Sequence, residues 1–159
     1  ESAAPKLGKV SSLVKMDFDA PENAQGVLYA LAGFSGGITC FVKDGYVNYE
    51  FNLFEIERTK IKSDTKLPIG KSTVEVESQL VDKIGGAMDV TIRINGKQVA
   101  KERVPRAMSL HFTSNATFDI GTDLDSPVSL DYFDQAPFPF TGKIGTTEIK
   151  YLKKATSSK

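Results

Sequence analysis

Residues 38–52 read Ile38-Thr39-Cys40-Phe41-Val42-Lys43-Asp44-Gly45-Tyr46-Val47-Asn48-Tyr49-Glu50-Phe51-Asn52. Two segments rich in β-branched and aromatic residues flank Asp44-Gly45, a pair that tolerates the positive φ angles of a two-residue hairpin turn. The stretch therefore predicts a strand over 38–43, a tight reversal, and a return strand over 46–52. The same grammar recurs in Asp89-Val90-Thr91-Ile92-Arg93-Ile94-Asn95-Gly96, where Val90, Ile92 and Ile94 share one face and Asn95-Gly96 makes the turn.

Outward from these two hairpins the pattern holds. Strands are expected over 13–18, 27–32 and 58–63, and Thr73-Val74-Glu75-Val76-Glu77 alternates wet and dry after Gly70. A return strand over 99–104 ends at Pro105, which lacks a ladder donor. Short strands follow over 109–112 and 117–120, and a long one over 143–152. No segment keeps a helical period. Turn residues recur every dozen positions or fewer, so the chain reads as an all-β, antiparallel two-sheet β-sandwich or jelly roll. Residues 1–9 are expected as a flexible N-terminal linker, 10–152 as the sandwich and 153–159 as a flexible tail.

The 159 residues suit one domain with a full core. Lysines and arginines equal aspartates and glutamates, 20 of each, so no bulk field attracts nucleic acid or anionic membrane, and neither is expected as a partner. No apolar run approaches the ~20 residues needed to cross a bilayer, and the opening residues carry no leader-like apolar stretch. One cysteine precludes an internal disulfide.

Several groups invite a chemical reading. Cys40 sits in an apolar strand and is expected as a buried structural thiol. Glu55-Ile56-Glu57, followed by Arg58, and Glu75-Val76-Glu77 would each put two carboxylates on one strand face, as sandwich glycosidases do. The Glu-x-Asp-x-Glu triple of laminarinase-like enzymes is absent, and solvated surface is the favoured account. The single histidine, His111, has no nucleophile elbow to serve. Asp119, Asp123 and Asp125, with Asp131 and Asp134 nearby, offer hard oxygen ligands for calcium. They also suit turn capping, with Arg103 and Arg106 as salt partners. Tyr29, Tyr46, Tyr49 and Tyr132 are candidates for a ligand or interface surface, having one dry and one wet end. The segment from Tyr132 to Phe140 is apolar for a loop, and is expected either to plug one end of the sandwich or to form a contact surface.

A series of short segments carries one further signal. Val42-Lys43-Asp44-Gly45, Tyr49-Glu50-Phe51-Asn52, Leu53-Phe54-Glu55-Ile56-Glu57-Arg58, Phe118-Asp119-Ile120-Gly121-Thr122-Asp123, Ser126-Pro127-Val128-Ser129, Asp131-Tyr132 and Phe140-Thr141-Gly142-Lys143 occur in that order. Together they resemble the C-terminal domain found downstream of the catalytic domain in many bacterial arylsulfatases. Ile56 stands where that family is expected to have glycine or another small residue, and the loop over 80–86 is short.

The resemblance implies a concanavalin A-like, laminin-G-like sandwich in a periplasmic or secreted protein. It implies a non-catalytic module packed on a sulfatase catalytic domain, the parent being a sulfuric ester hydrolase. The family nucleophile lies in Cys/Ser-x-Pro-x-Arg, whereas Cys40 is followed by Phe41-Val42-Lys43-Asp44. No reaction and no obligatory cofactor is therefore expected of this chain. The alternative is a lectin-like module that binds carbohydrate and holds a sulfated glycan substrate.

Overall fold

Two five-stranded antiparallel sheets stack face to face in a computed structural model that describes residues 5–108, 117–124 and 126–153. The first sheet runs β10-β1-β6-β7-β8 and the second β5-β4-β3-β2-β9. Their strands are β1 (Ser12–Ala20), β2 (Gly26–Gly33), β3 (Gly36–Lys43), β4 (Tyr46–Leu53), β5 (Glu57–Lys66), β6 (Gly70–Leu80), β7 (Met88–Ile94), β8 (Lys97–Val104), β9 (Phe118–Ile120) and β10 (Lys143–Tyr151). The expected strand over 109–112, and His111 with it, lie outside the described residues. The architecture is the all-β sandwich that the alternation predicts.

The two hairpins form as their turn residues dictate. Asp44 and Gly45 take φ of 54° and 87°, Asn95 and Gly96 take 51° and 83°, and both turns are left-handed at both central positions. Because a two-residue turn fixes register, Lys43 faces Tyr46, Phe41 faces Asn48 and Thr39 faces Glu50. The inner faces then bury alternate residues. Ile38, Cys40 and Val42 of β3 meet Val47, Tyr49 and Phe51 of β4, and Val74, Val76, Val90 and Ile92 close the core from the first sheet. Each such side chain, removed from water, contributes roughly 1.5–3 kcal/mol before chain entropy is set against it.

The N-terminal boundary differs from the expectation. Leu7 is buried in this core, the Gly8 carbonyl accepts from Met108 N at 2.8 Å, and Lys6 N donates to the Tyr151 hydroxyl at 3.0 Å. Residues 6–8 are thus packed on the sandwich rather than frayed. One apolar residue, Leu7, in a polar, small-residue stretch supplies the burial that ties them down.

Residues 126–140, with a short 3-10 turn at Leu130–Gln135, neither plug an end of the sandwich nor hang free. They cross the outer face of the second sheet as a strap. Val128, Tyr132 and Phe138 form a second hydrophobic cluster with Val27, Ala30 and Phe41, side chains pointing away from the main core. Val27 N donates to the Phe138 carbonyl at 2.8 Å. The approach is close enough to require glycine beneath it, since a Cβ on Gly26 would lie 2.2 Å from the Pro139 carbonyl oxygen, and the φ there is +116°.

Candidate functional site

The ladder register sets four rows across the outer face of β3, β4 and β5. They are Lys43-Tyr46-Lys66, Phe41-Asn48-Lys62, Thr39-Glu50-Lys60 and Gly37-Asn52-Arg58. These residues alternate with the apolar inner set, so a dry face and a polar face come from the same three strands. The strap divides the polar face into a covered half and an open half.

Two buried clamps hold the strap down. In the first, Arg58 Nη1 donates to Glu50 Oε2 at 2.6 Å and to the Val128 carbonyl at 2.8 Å, while the Ser129 hydroxyl donates to Glu50 Oε1. Glu50 is 1% exposed, so this carboxylate is withdrawn from solvent and engaged at both oxygens. In the second, Asp123 is buried and its Oδ2 accepts from the Tyr132 hydroxyl and from Val128 N. The Tyr132 and Thr39 hydroxyls lie 3.0 Å apart. Burial, and then the neighbouring Asp123 carboxylate, push the Tyr132 phenol well above its ordinary range, so it stays a protonated donor.

Beyond the strap the face opens into a groove of about 350 Å³, lined chiefly by Phe41, Lys43, Asn48, Lys60, Lys62 and Asp131. Lys60 pairs with Asp131 at 2.8 Å, and Lys43 Nζ donates to the Asp131 carbonyl oxygen. Lys62 Nζ stands 4.3 Å from the Tyr46 ring centroid and Lys66 Nζ 5.8 Å from it. Among the described residues no carboxylate lies within ion-pair distance of Lys62 or Lys66. A second groove, about 470 Å³, lies on the outer face of the first sheet, with Asp17, Asp19, Lys71 and Lys143 on its walls.

The residues singled out from sequence are scattered. Tyr46 is half-buried at the groove's end, its ring beside two ammonium groups rather than free to stack. Tyr49 and Tyr29 are 2% exposed and belong to the main core, which removes both from any ligand surface. Their place on the inner face is the reason, and burial pushes both phenols up. Tyr132 is also buried, beneath its own strap, and serves as a clamp. Glu55 lies in the β4–β5 turn with φ of 63°, so it shares no strand face with Glu57, which opens β5. Glu57 accepts from Arg106 at 3.4 Å and Arg103 pairs with Asp89 at 2.7 Å, so neither arginine serves the aspartate cluster.

The aspartates do turn chemistry. Asp119 Oδ2 accepts from Leu124 N at 3.0 Å, and Asp123 caps the strap as described. Asp125 lies outside the described residues. Among the described residues no three histidine, cysteine, aspartate or glutamate side chains converge as a metal site would require. Cys40 is fully buried and burial lifts its thiol to about 12, which leaves it unreactive at neutral pH. Sequence reasoning missed Glu50, Lys43, Lys60 and Lys62. The polar period Tyr46-x-Asn48-x-Glu50-x-Asn52 was the signal that could have found Glu50, because it marks an outer face rich in hydrogen-bonding groups; the lysines lie on the neighbouring strands.

Similarity to solved structures places the architecture. The chain superposes on mouse laminin α1 chain domains LG4-5 with a TM-score of 0.64 at 14% identity, over 95% of this chain and 39% of that one. It matches the LG1-3 region of the laminin α2 chain with a TM-score of 0.59 at 14% identity, over 96% and 31%. A heptameric SAP-like pentraxin from Limulus polyphemus gives 0.53 at 16% identity, over 91% and 66%. The chain thus spans about two-thirds of the pentraxin and well under half of the laminin fragments. No protein-family model matches the chain, and no curated protein matches it in sequence. These likenesses establish a laminin-G-like, concanavalin A-like sandwich, and nothing among them links the chain to sulfatases.

Proposed function

We propose that this chain is a carbohydrate-binding module with no reaction of its own, and that its ligand lies in the open half of the second sheet's outer face. The observation that carries this is the division of that face. The strap fills one half with apolar contacts and two buried clamps, and leaves beside it a groove lined by ammonium, amide and carboxylate groups. Such a mixture of donors and acceptors suits a polyhydroxylated ligand held by several hydrogen bonds. The absence of a reaction is argued from the acids present: Glu50 is engaged at both oxygens and Asp131 is paired with Lys60. A glycosidase needs two carboxyl groups free to act across the scissile bond.

Binding to a panel of immobilised glycans tests the reading. Asn48→Trp would fill the groove and abolish binding, while Thr91→Trp on the outer face of the first sheet would leave it intact. A panel without hits, or hits indifferent to Asn48→Trp, would overturn the assignment. Turnover of an aryl sulfate by the pure chain would overturn its non-catalytic half.

A second reading has its own observation. Leu130 and Phe133 are 54% and 50% exposed on the strap, and Phe133 meets Phe34 edge-to-face at 5.8 Å. Side chains of this kind suit packing against a neighbouring domain, and the resemblance supplies a candidate in an arylsulfatase catalytic domain. A sulfatase domain encoded upstream of Glu1, whose association weakens in Leu130→Ser/Phe133→Ser, supports that arrangement. A different upstream domain rules it out.

A further inference from the structure

We infer that the groove selects acidic glycans, reading sulfate or carboxylate substituents through Lys43, Lys60 and Lys62; this rests on the carbohydrate reading above and deepens it. The ladder brings the three lysines together from different parts of the sequence. Lys43 ends β3, while Lys60 and Lys62 alternate on the outer face of β5, across β4 from it. Of the acids that line the same groove, Asp131 alone pairs with one of these lysines, Lys60, and Lys43 and Lys62 keep their charge uncancelled. Glu50 is buried against Arg58, Asp131 is committed to Lys60, and Asp44 sits in the exposed β3–β4 turn at the rim. Lys62, with Lys66 behind it at Tyr46, has no carboxylate within ion-pair distance among the described residues.

The aromatic side chain at this site argues in the same direction. Neutral-sugar modules stack pyranose faces on open rings, and here the Tyr46 ring is attended by Lys62 at 4.3 Å and Lys66 at 5.8 Å. A cation over a ring face holds that ammonium in place at the groove wall. Recognition therefore falls to point charges, with Asn48 beside them to hydrogen-bond a hydroxyl.

The test uses three polymers on one backbone: dextran sulfate, carboxymethyl dextran and unmodified dextran, measured with the intact chain by affinity electrophoresis and titration calorimetry. The charged forms are expected to bind, with affinity falling as salt rises. The substitution Lys60→Gln/Lys62→Gln is expected to cost about tenfold or more in affinity, since each charge-assisted contact is lost. Lys15→Gln/Lys101→Gln on the first sheet, with the same change in net charge, is expected to leave affinity unchanged. Preference between the sulfated and carboxymethylated forms tells which acid the groove takes, and either one supports the inference.

Binding of neutral glycans in the same groove, sensitive to Asn48→Trp but not to the lysine substitutions, would overturn the acidic preference and leave the carbohydrate reading standing. Equal binding of polyglutamate, lost in the same lysine variant, would overturn it in favour of a general polyanion surface. No binding by any glycan, charged or neutral, would overturn both readings together. Unaltered melting temperatures of the variants establish that each loss is local.

Discussion

The outer faces of the two sheets carry charge in different ways. On the first sheet, Arg93 pairs with Glu75 and Glu77, and Arg103 with Asp89, each a cross-strand neighbour at the surface. Those ions stay near water and neutralise one another locally. On the second sheet one ion pair, Arg58 with Glu50, has been pulled under a strap, while lysines beside it remain in the open. Burying a charge pair costs several kcal/mol of desolvation per ion unless hydrogen bonds replace the lost water. Here Ser129 and the Val128 carbonyl provide them. The contrast teaches that charge content alone does not identify a functional face. The first sheet carries ions too, but its two arginines are paired where they stand.

If that contrast is sound, the two faces respond unequally to substitution. The largest effect belongs to Glu50→Ala, which strands Arg58 beneath the strap and removes the Ser129 acceptor. A loss of roughly 3–5 kcal/mol is expected, the usual result of leaving one buried charge unpaired, measured by urea denaturation. A cost under about 1 kcal/mol would mean that the strap relaxes and water reaches Arg58, and the face would then be no stiffer than its counterpart.

Next comes Tyr132→Phe, which keeps the ring between Phe41 and Phe138 but takes the donor from Asp123. About 1.5–3 kcal/mol is expected for a buried hydrogen bond to a carboxylate. The ring packing should survive, so the groove beside it should retain its ligand. Loss of glycan binding in this variant would instead show that clamp and groove are one structure.

The halves of this comparison were not equally legible in the sequence. Alternation and two turns, Asp44-Gly45 and Asn95-Gly96, are local signals, and they were enough for the strands and the sandwich. The first turn even fixes that Phe41 faces Asn48, because a two-residue loop leaves no freedom of register. The pairing of β4 with β5 was hidden. Their connection runs through Phe54 and Glu55 at positive φ, residues that give no turn signal, and it is held by Asn52, whose Oδ1 accepts from Glu55 N at 2.8 Å.

Without that register nothing in the sequence sets Lys60 beside Glu50 or Lys62 beside Asn48. The strap was hidden for a different reason. Tyr132 and Phe138 mark the segment as apolar but do not say which surface it covers, and the glycines it passes over, Gly26 and Gly33, lie far away in sequence. The tyrosines misled because a large amphipathic residue looks the same on either side of a sheet until neighbouring strands are known.

The smallest expected effect lies on the first sheet and depends on pH. The hydrogen bond from Arg93, together with its charge, holds the Glu77 carboxyl below its ordinary value of 4.5, although partial burial works against them. A carboxyl whose folded pKa lies below its unfolded one contributes stability above the unfolded value, and that contribution fades as pH falls through the folded value. Arg93→Gln should therefore cost less than about 1 kcal/mol at neutral pH, since this pair stays at the surface. The difference from the parent chain should shrink as pH drops below 4.5. Salt should weaken the neutral-pH difference too, through ordinary screening. A difference that instead persisted at low pH would mean that Arg93 acts by packing its stem across β6 and β7. In that event the first sheet's face would be held by its side-chain bodies, and the electrostatic half of the comparison would apply to the second sheet alone.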